Sequence, residues 1–167
     1  MSVEFAAQSS ETAPGLVCWL SDTEQAVWRQ LLSVEARLHD RLDRELREAH
    51  GLTLGEYAVL VHLSEAGPEG LRMSDLAELL GLSRSGLTRR IDGLVKAGVV
   101  IRHSCPNDGR GSMAQLTATG EDRLAEAAPT HVAGVRRYLI DVLGGDLGAL
   151  SEGLGRVEEA LGRACGC

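Results

Sequence analysis

The sequence predicts a mainly α fold with a small β-wing, and three features point to it. Aromatic residues make up only 3% of the 167-residue chain, so a core has to come from Leu, Val and Ala, which favours helices. Apolar residues recur at spacings of three and four over most of the length. One short β-branched stretch, VVIRH, precedes the turn-rich SCPNDGRGS and a possible returning strand, MAQLT, together a candidate hairpin. With 44% apolar and 25% charged residues, the chain is a soluble globular type long enough to bury a core.

Residues 1–20 are small and polar and are expected to be a flexible segment. From Asp22 to His50 a stripe of Val27, Leu31, Val34, Leu38, Leu42 and Leu46 predicts one long amphipathic helix, ended by Gly51. In LTLGE, Thr53 and Glu56 have capping-box spacing and Leu52 can staple onto Tyr57, starting a helix that runs to about Ala66 and the break GPEG. After LRM, Ser74 is the expected cap of the next helix. SDLAELLGLSRSGLTRRIDGLVKAG then reads as two helices around a tight turn at Gly81-Leu82. Thr117 or Thr119 caps a further helix to about Gly144-Gly145, which Pro129 is expected to kink or split. The last helix aligns Leu147, Leu150, Leu154, Val157 and Leu161 in a heptad seam. That seam can lie on its own core or on a second copy. Gly148, Gly153 and Gly155 weaken the helix, and with the long N-terminal stripe this favours a homodimer.

The central segment has a helix-turn-helix pattern. Ala77, Gly81 and Leu87 stand at offsets of 0, 4 and 10: a small residue where the helices cross, a turn residue tolerant of positive φ, and an apolar contact. If Leu87, Ile91 and Leu94 face inward, then Arg84, Ser85, Thr88 and Arg89 face outward. Ser83 caps this second helix, and Gly86 lets its backbone come close to a partner. Arg90 can serve phosphate or structure. Residues 84–110 hold six basic side chains, Arg102 among them, against two acidic ones, a local +4 in a chain of net charge −7. Such a basic island suits a polyanion. Arginine can bond guanine bidentately and short hydroxyls fit base edges, which points to double-stranded DNA. The hairpin would be a wing, with Arg110 at its tip for the minor groove and Asp108 placed to orient it or to brace the loop to another arginine.

Residues 76–120, LAELLGLSRSGLTRRIDGLVKAGVVIRHSCPNDGRGSMAQLTATG, resemble the MarR family of bacterial transcriptional regulators. The shared features are the helix-turn-helix, the Val99-Val100 entry to the wing, Asp108-x-Arg110 and Leu116-Thr117-x-x-Gly120. The flanking helices extend the resemblance to about residues 20–163. It implies a winged helix-turn-helix DNA-binding domain at 52–117, flanked by dimerisation helices at 21–51 and 118–163. It also implies a two-fold homodimer, acting usually as a repressor on a pseudo-palindromic operator and often released by a small phenolic ligand. Ser83 to Arg90 becomes the recognition helix and Arg110 the wing arginine. Gly109 and Gly111 depart from the polar residues the family often has there.

For a small aromatic effector the candidate pocket residues are Trp28, His39, Tyr57 and Arg72, the few aromatic and polar groups able to reach a crevice. Cys18 and Cys105 are redox candidates, Cys18 being read otherwise as a buried small hydrophobe. The five histidines and the Cys165-Gly-Cys167 end define no ligand set, so neither a metal nor a cofactor is expected. A redox- or metal-responsive regulator of the same fold, and a winged helix turned to protein partners, are the other readings. No nucleophile elbow, phosphate loop or dinucleotide motif occurs, which excludes the common enzyme classes. No stretch approaches the roughly 20 apolar residues of a membrane span. The N-terminus lacks the basic start and apolar block of a signal peptide, so a cytoplasmic protein is expected.

Overall fold

Ser21 opens the first helix through a reciprocal cap. Its N–H donates to the Glu24 carboxylate at 2.7 Å, and its hydroxyl accepts from the Glu24 N–H at 3.4 Å. The Ser21 N–H, and the Ser21 hydroxyl donating to the same carboxylate at 2.7 Å, hold the Glu24 carboxyl below its ordinary range. The computed structural model describes residues 17–105 and 108–164, the side chains of residues 105, 108–110, 163 and 164 excepted. Helix α1 runs Asp22–His50, as its stripe predicts. The chain divides into two units at Ala36 and Arg37. In the first, Trp19, Val27, Trp28, Leu31 and Val34 are exposed.

In the second unit, Leu42 and Leu46 from the rest of α1 are buried. Helix α2, Leu54–Ala66, starts at the expected capping box: Thr53 N–H meets Glu56 at 2.8 Å, and Glu56 N–H meets the Thr53 hydroxyl at 2.9 Å. Asp43 of α1 adds a second cap, accepting from Leu54 N–H at 2.8 Å. Burial pushes the Asp43 carboxyl up, but hydrogen bonds from Arg47 and the Leu54 amide outweigh it and hold the group below its usual range. Leu52 and Tyr57, the expected staple pair, are both buried in the core.

Strand β1, Leu71–Arg72, leads straight into helix α3, Met73–Leu79. The cap position is therefore Arg72 rather than Ser74, whose hydroxyl instead donates to Asp75 at 2.8 Å. Pairing of Arg72 with Met113 fixes the backbone two residues earlier than the serine signal suggests. Helix α4, Arg84–Lys96, is capped by Ser83. Strands β2, Val100–Cys105, and β3, Asp108–Leu116, make an antiparallel hairpin in a sheet of order β1-β3-β2. The ladder pairs Ser104 with Ser112, so it reaches further into the turn-rich segment than MAQLT alone suggests. The pairs Val100↔Leu116 and Arg102↔Ala114 lie in one row of the pleat. The row starts in the core and leaves it at Arg102.

Thr117, not Thr119, caps helix α5, Ala118–Val135, accepting from Gly120 N–H at 3.0 Å. Pro129 lies inside α5 without splitting it. The carbonyl that loses its partner there belongs to exposed Ala125, where water can satisfy it. Regular geometry gives way later, in a π-helical turn at Arg136–Ile140 followed by the short α6, Asp141–Leu143. That turn puts the Tyr138 hydroxyl on Glu45 of α1 at 2.5 Å, with Arg137 donating to the same carboxylate at 3.3 Å. Helix α7, Leu147–Ala164, closes the described chain. Its seam is uncovered: Leu150, Leu154, Val157 and Leu161 are 38%, 46%, 54% and 64% exposed. No helix is long and apolar enough to cross a membrane among the described residues.

Candidate nucleic-acid interface

Two short helices are locked at a fixed angle by the turn the sequence predicts. Ala77 is buried at the crossing and Gly81 takes φ +60°. The Leu82 N–H closes the turn on the Ala77 carbonyl at 2.8 Å. Leu87, Ile91 and Leu94 are buried, which fixes the opposite face of α4 outward. Arg84, Ser85 and Arg89 are exposed there. Neither Arg84 nor Arg89 has a side-chain hydrogen-bond or ion-pair partner among the described residues. The Ser83 hydroxyl accepts from Gly86 N–H at 3.2 Å and stands 3.3 Å from the Ser85 hydroxyl. A Cβ on Gly86 would lie 3.1 Å from that cap oxygen, so its missing side chain serves the cap. Thr88 donates its hydroxyl to the Arg84 carbonyl at 2.9 Å.

Arg90 belongs to the scaffold. It is half-buried, and its guanidinium donates to the Gly55 carbonyl at the start of α2 at 3.4 Å. A Cβ on Gly55 would come within 2.6 Å of that guanidinium. Arg102 pairs with Asp92 of α4 at 3.0 Å, tying the wing to the helix. The Asp108, Arg110 and Cys105 side chains lie outside the described residues.

Arg72, read from sequence as an effector-pocket residue, lines a cleft of about 370 Å³ together with Ser74, Arg84, Thr88, Arg102 and Ser112. Tyr57 is buried and stacks on His131 of α5, ring centroids 4.5 Å apart and planes 29° from parallel. Burial alone pushes the Tyr57 phenol up and the His131 imidazole down. Trp28 and His39 are exposed on α1. Cys18 is exposed and free, contrary to the buried small hydrophobe expected of it. Sequence reasoning passed over His131, Arg123, which donates to the His50 carbonyl at 2.6 Å, and the Asp92 partner of Arg102. Only Asp92 had a signal, as the acid inside the basic island.

Comparison with known proteins agrees with this geometry. The MarR family pattern matches residues 50–111. AbsC, a MarR family transcriptional regulator from Streptomyces coelicolor, is 41% identical, with a TM-score of 0.80 covering 87% of this chain and 98% of AbsC. Sco3205, a MarR family regulator from the same organism solved in complex with DNA, is 35% identical, with a TM-score of 0.79 covering 89% of this chain and 91% of Sco3205. The HTH-type transcriptional repressor YetL of Bacillus subtilis is 31% identical over 81 residues, 48% of each protein. This chain thus aligns with about half the length of YetL. Identity and coverage on this scale across the winged helix and its flanking helices place the chain in the MarR family of transcriptional regulators, DNA-binding proteins and not enzymes.

Proposed function

We propose that the protein is a repressor that binds a pseudo-palindromic operator as a homodimer and is released by a small aromatic ligand. The observation that carries the DNA-reading part is the outward display of Arg84, Ser85, Thr88 and Arg89 on a helix whose other face is buried. Ser83 and Gly86 shape the first turn of that helix, and the family resemblance makes Arg110 the wing arginine. In this reading 52–117 is the DNA-binding domain, and 21–51 and 118–163 are the dimerisation helices. Repression and release by a ligand rest on the family. An operator of two half-sites about one helical turn apart follows from two-fold symmetry.

The test is fluorescence anisotropy on duplex DNA from upstream of the protein's own gene, across a salt series. Wild type is expected to prefer that duplex over a scrambled one, with affinity falling as salt rises. Arg89→Ala is expected to weaken specific binding about tenfold or more. Arg90→Ala acts on the scaffold and is expected to lower the melting temperature while changing affinity far less. Equal binding of both duplexes by wild type would remove the operator-reading role. A screen of aromatic carboxylates in the same assay tests release.

A further inference from the structure

The cleft beside the recognition helix has an arginine that sequence patterning assigned to a different task. Arg72 comes from β1, Arg84 and Thr88 from the first two turns of α4, Arg102 from β2 and Ser112 from β3. Three arginines from three elements therefore line one space, and no acidic residue is among the lining residues. Two of them come from the strands on either side of β3. Arg72 pairs across to Met113 and Arg102 to the adjacent Ala114. Their strands thus flank β3 at a separation of about 10 Å. Two carboxylates bond lining residues: Asp92, paired with Arg102 at 3.0 Å, and Asp75, which accepts from Ser74 at 2.8 Å. Ser74 and Thr88 already donate their hydroxyl protons within the fold. The cationic lining of the cleft is arginine, whose guanidinium matches phosphate oxygens in shape and charge.

We infer that this cleft seats one backbone phosphate of bound DNA, with Arg72 a phosphate-holding residue outside the recognition helix. The inference rests on the proposed DNA-reading function and adds to it an anchor that positions α4 without reading bases. DNA is favoured over a free anion by continuity. One wall of the cleft is α4 itself, and Arg84 lies both on that wall and on the outward face shared with Ser85 and Arg89. A duplex meeting that face brings its own phosphates alongside the cleft.

The experiment compares wild type, Arg72→Gln and Arg72→Lys by anisotropy, on the upstream duplex and on a scrambled duplex of equal length. Thermal melts confirm that each variant is folded. Arg72→Gln is expected to weaken both duplexes by a similar factor and to reduce the log–log salt slope by about 0.9 for each phosphate that the variant leaves unneutralised. Arg72→Lys is expected to recover most of the slope, because a point charge still meets the phosphate. A competition arm adds inorganic phosphate at matched ionic strength and should leave DNA binding unchanged. Selective displacement by phosphate in wild type but not in Arg72→Gln would overturn the inference in favour of a free-anion site. Weakening confined to the specific duplex would overturn it as a base-reading effect. Unchanged affinity and slope in Arg72→Gln, with wild type still binding, would sink the phosphate seat alone. No salt-dependent binding by wild type to either duplex would sink the DNA-reading function along with it.

Discussion

Gly70 and Gly120 are fixed by neighbouring backbone rather than by their own turns. A Cβ on Gly70 would sit 2.2 Å from the Ala114 carbonyl oxygen, at a residue with φ +69°. One on Gly120 would sit 2.1 Å from the Val99 carbonyl oxygen, which already accepts from Thr117 N–H at 3.1 Å. Neither carbonyl can rotate away without breaking the sheet or its junction with α5. Gly81 has φ +60° and open space around it, so only backbone strain resists a side chain there. Gly81→Ala is expected to cost about 1 kcal/mol, and Gly70→Ala and Gly120→Ala about 3 kcal/mol each. Urea midpoints of the three variants check this, and an equal drop in all three would defeat the steric explanation. At this scale the sequence showed that Gly81 was needed and hid why Gly70 and Gly120 are. A turn glycine has a local signature, whereas close approach to a distant carbonyl has none. Arg90 and Arg72 follow the same logic: Arg90 stood in the basic island and Arg72 among the effector candidates, and only the packing of α2 and the pairing of β1 fixed their positions.

Helix starts were the most legible elements, because a cap is local chemistry. Thr53 with Glu56, Ser83 and Thr117 each form the bond that their spacing implies. Ser74 misled because a strand constrains the residue before it, and Pro129 because the carbonyl it deprives faces water. What holds α2 against α5 was not legible at all: the Tyr57–His131 stack joins residues 74 positions apart. That stack makes the pair of helices sensitive to pH. Burial holds the His131 imidazole below its ordinary value of 6.5, since removing the ring from water penalises the charged form. Between that value and the lowered native one, the unfolded chain binds a proton that the native chain does not. The contribution is fully present above pH 6.5 and declines as pH falls through the window. His131→Phe keeps an aromatic ring on Tyr57 and removes the titration. Urea midpoints taken from neutral pH down to about pH 5 should fall less steeply for this variant than for wild type. Parallel lines would show that His131 is not a source of the slope.

Over the whole molecule the unsettled feature is apolar surface. The chain carries a net charge of −7, yet α7 exposes the entire seam from Leu150 to Leu161. Four aliphatic side chains in a heptad row gain little by staying wet, and burying each would contribute about 1.5–3 kcal/mol before ordering costs. A row that one chain leaves uncovered fits a second copy brought up by a two-fold axis, where the same row meets itself. Leu154 is central in that row and is on α7, not on the recognition helix or the wing. Leu154→Asp is therefore expected to leave the fold of the winged helix intact while shifting the chain from dimer to monomer in sedimentation velocity. Its melting temperature should no longer show the concentration dependence of wild type. DNA binding should weaken too, because two linked half-site contacts become two independent ones. Leu31→Asp puts the same question to the N-terminal unit, where Leu31 is likewise exposed. A monomeric wild type, or a Leu154→Asp protein that stays dimeric with unchanged affinity, would remove α7 from the assembly and leave its seam for a different partner.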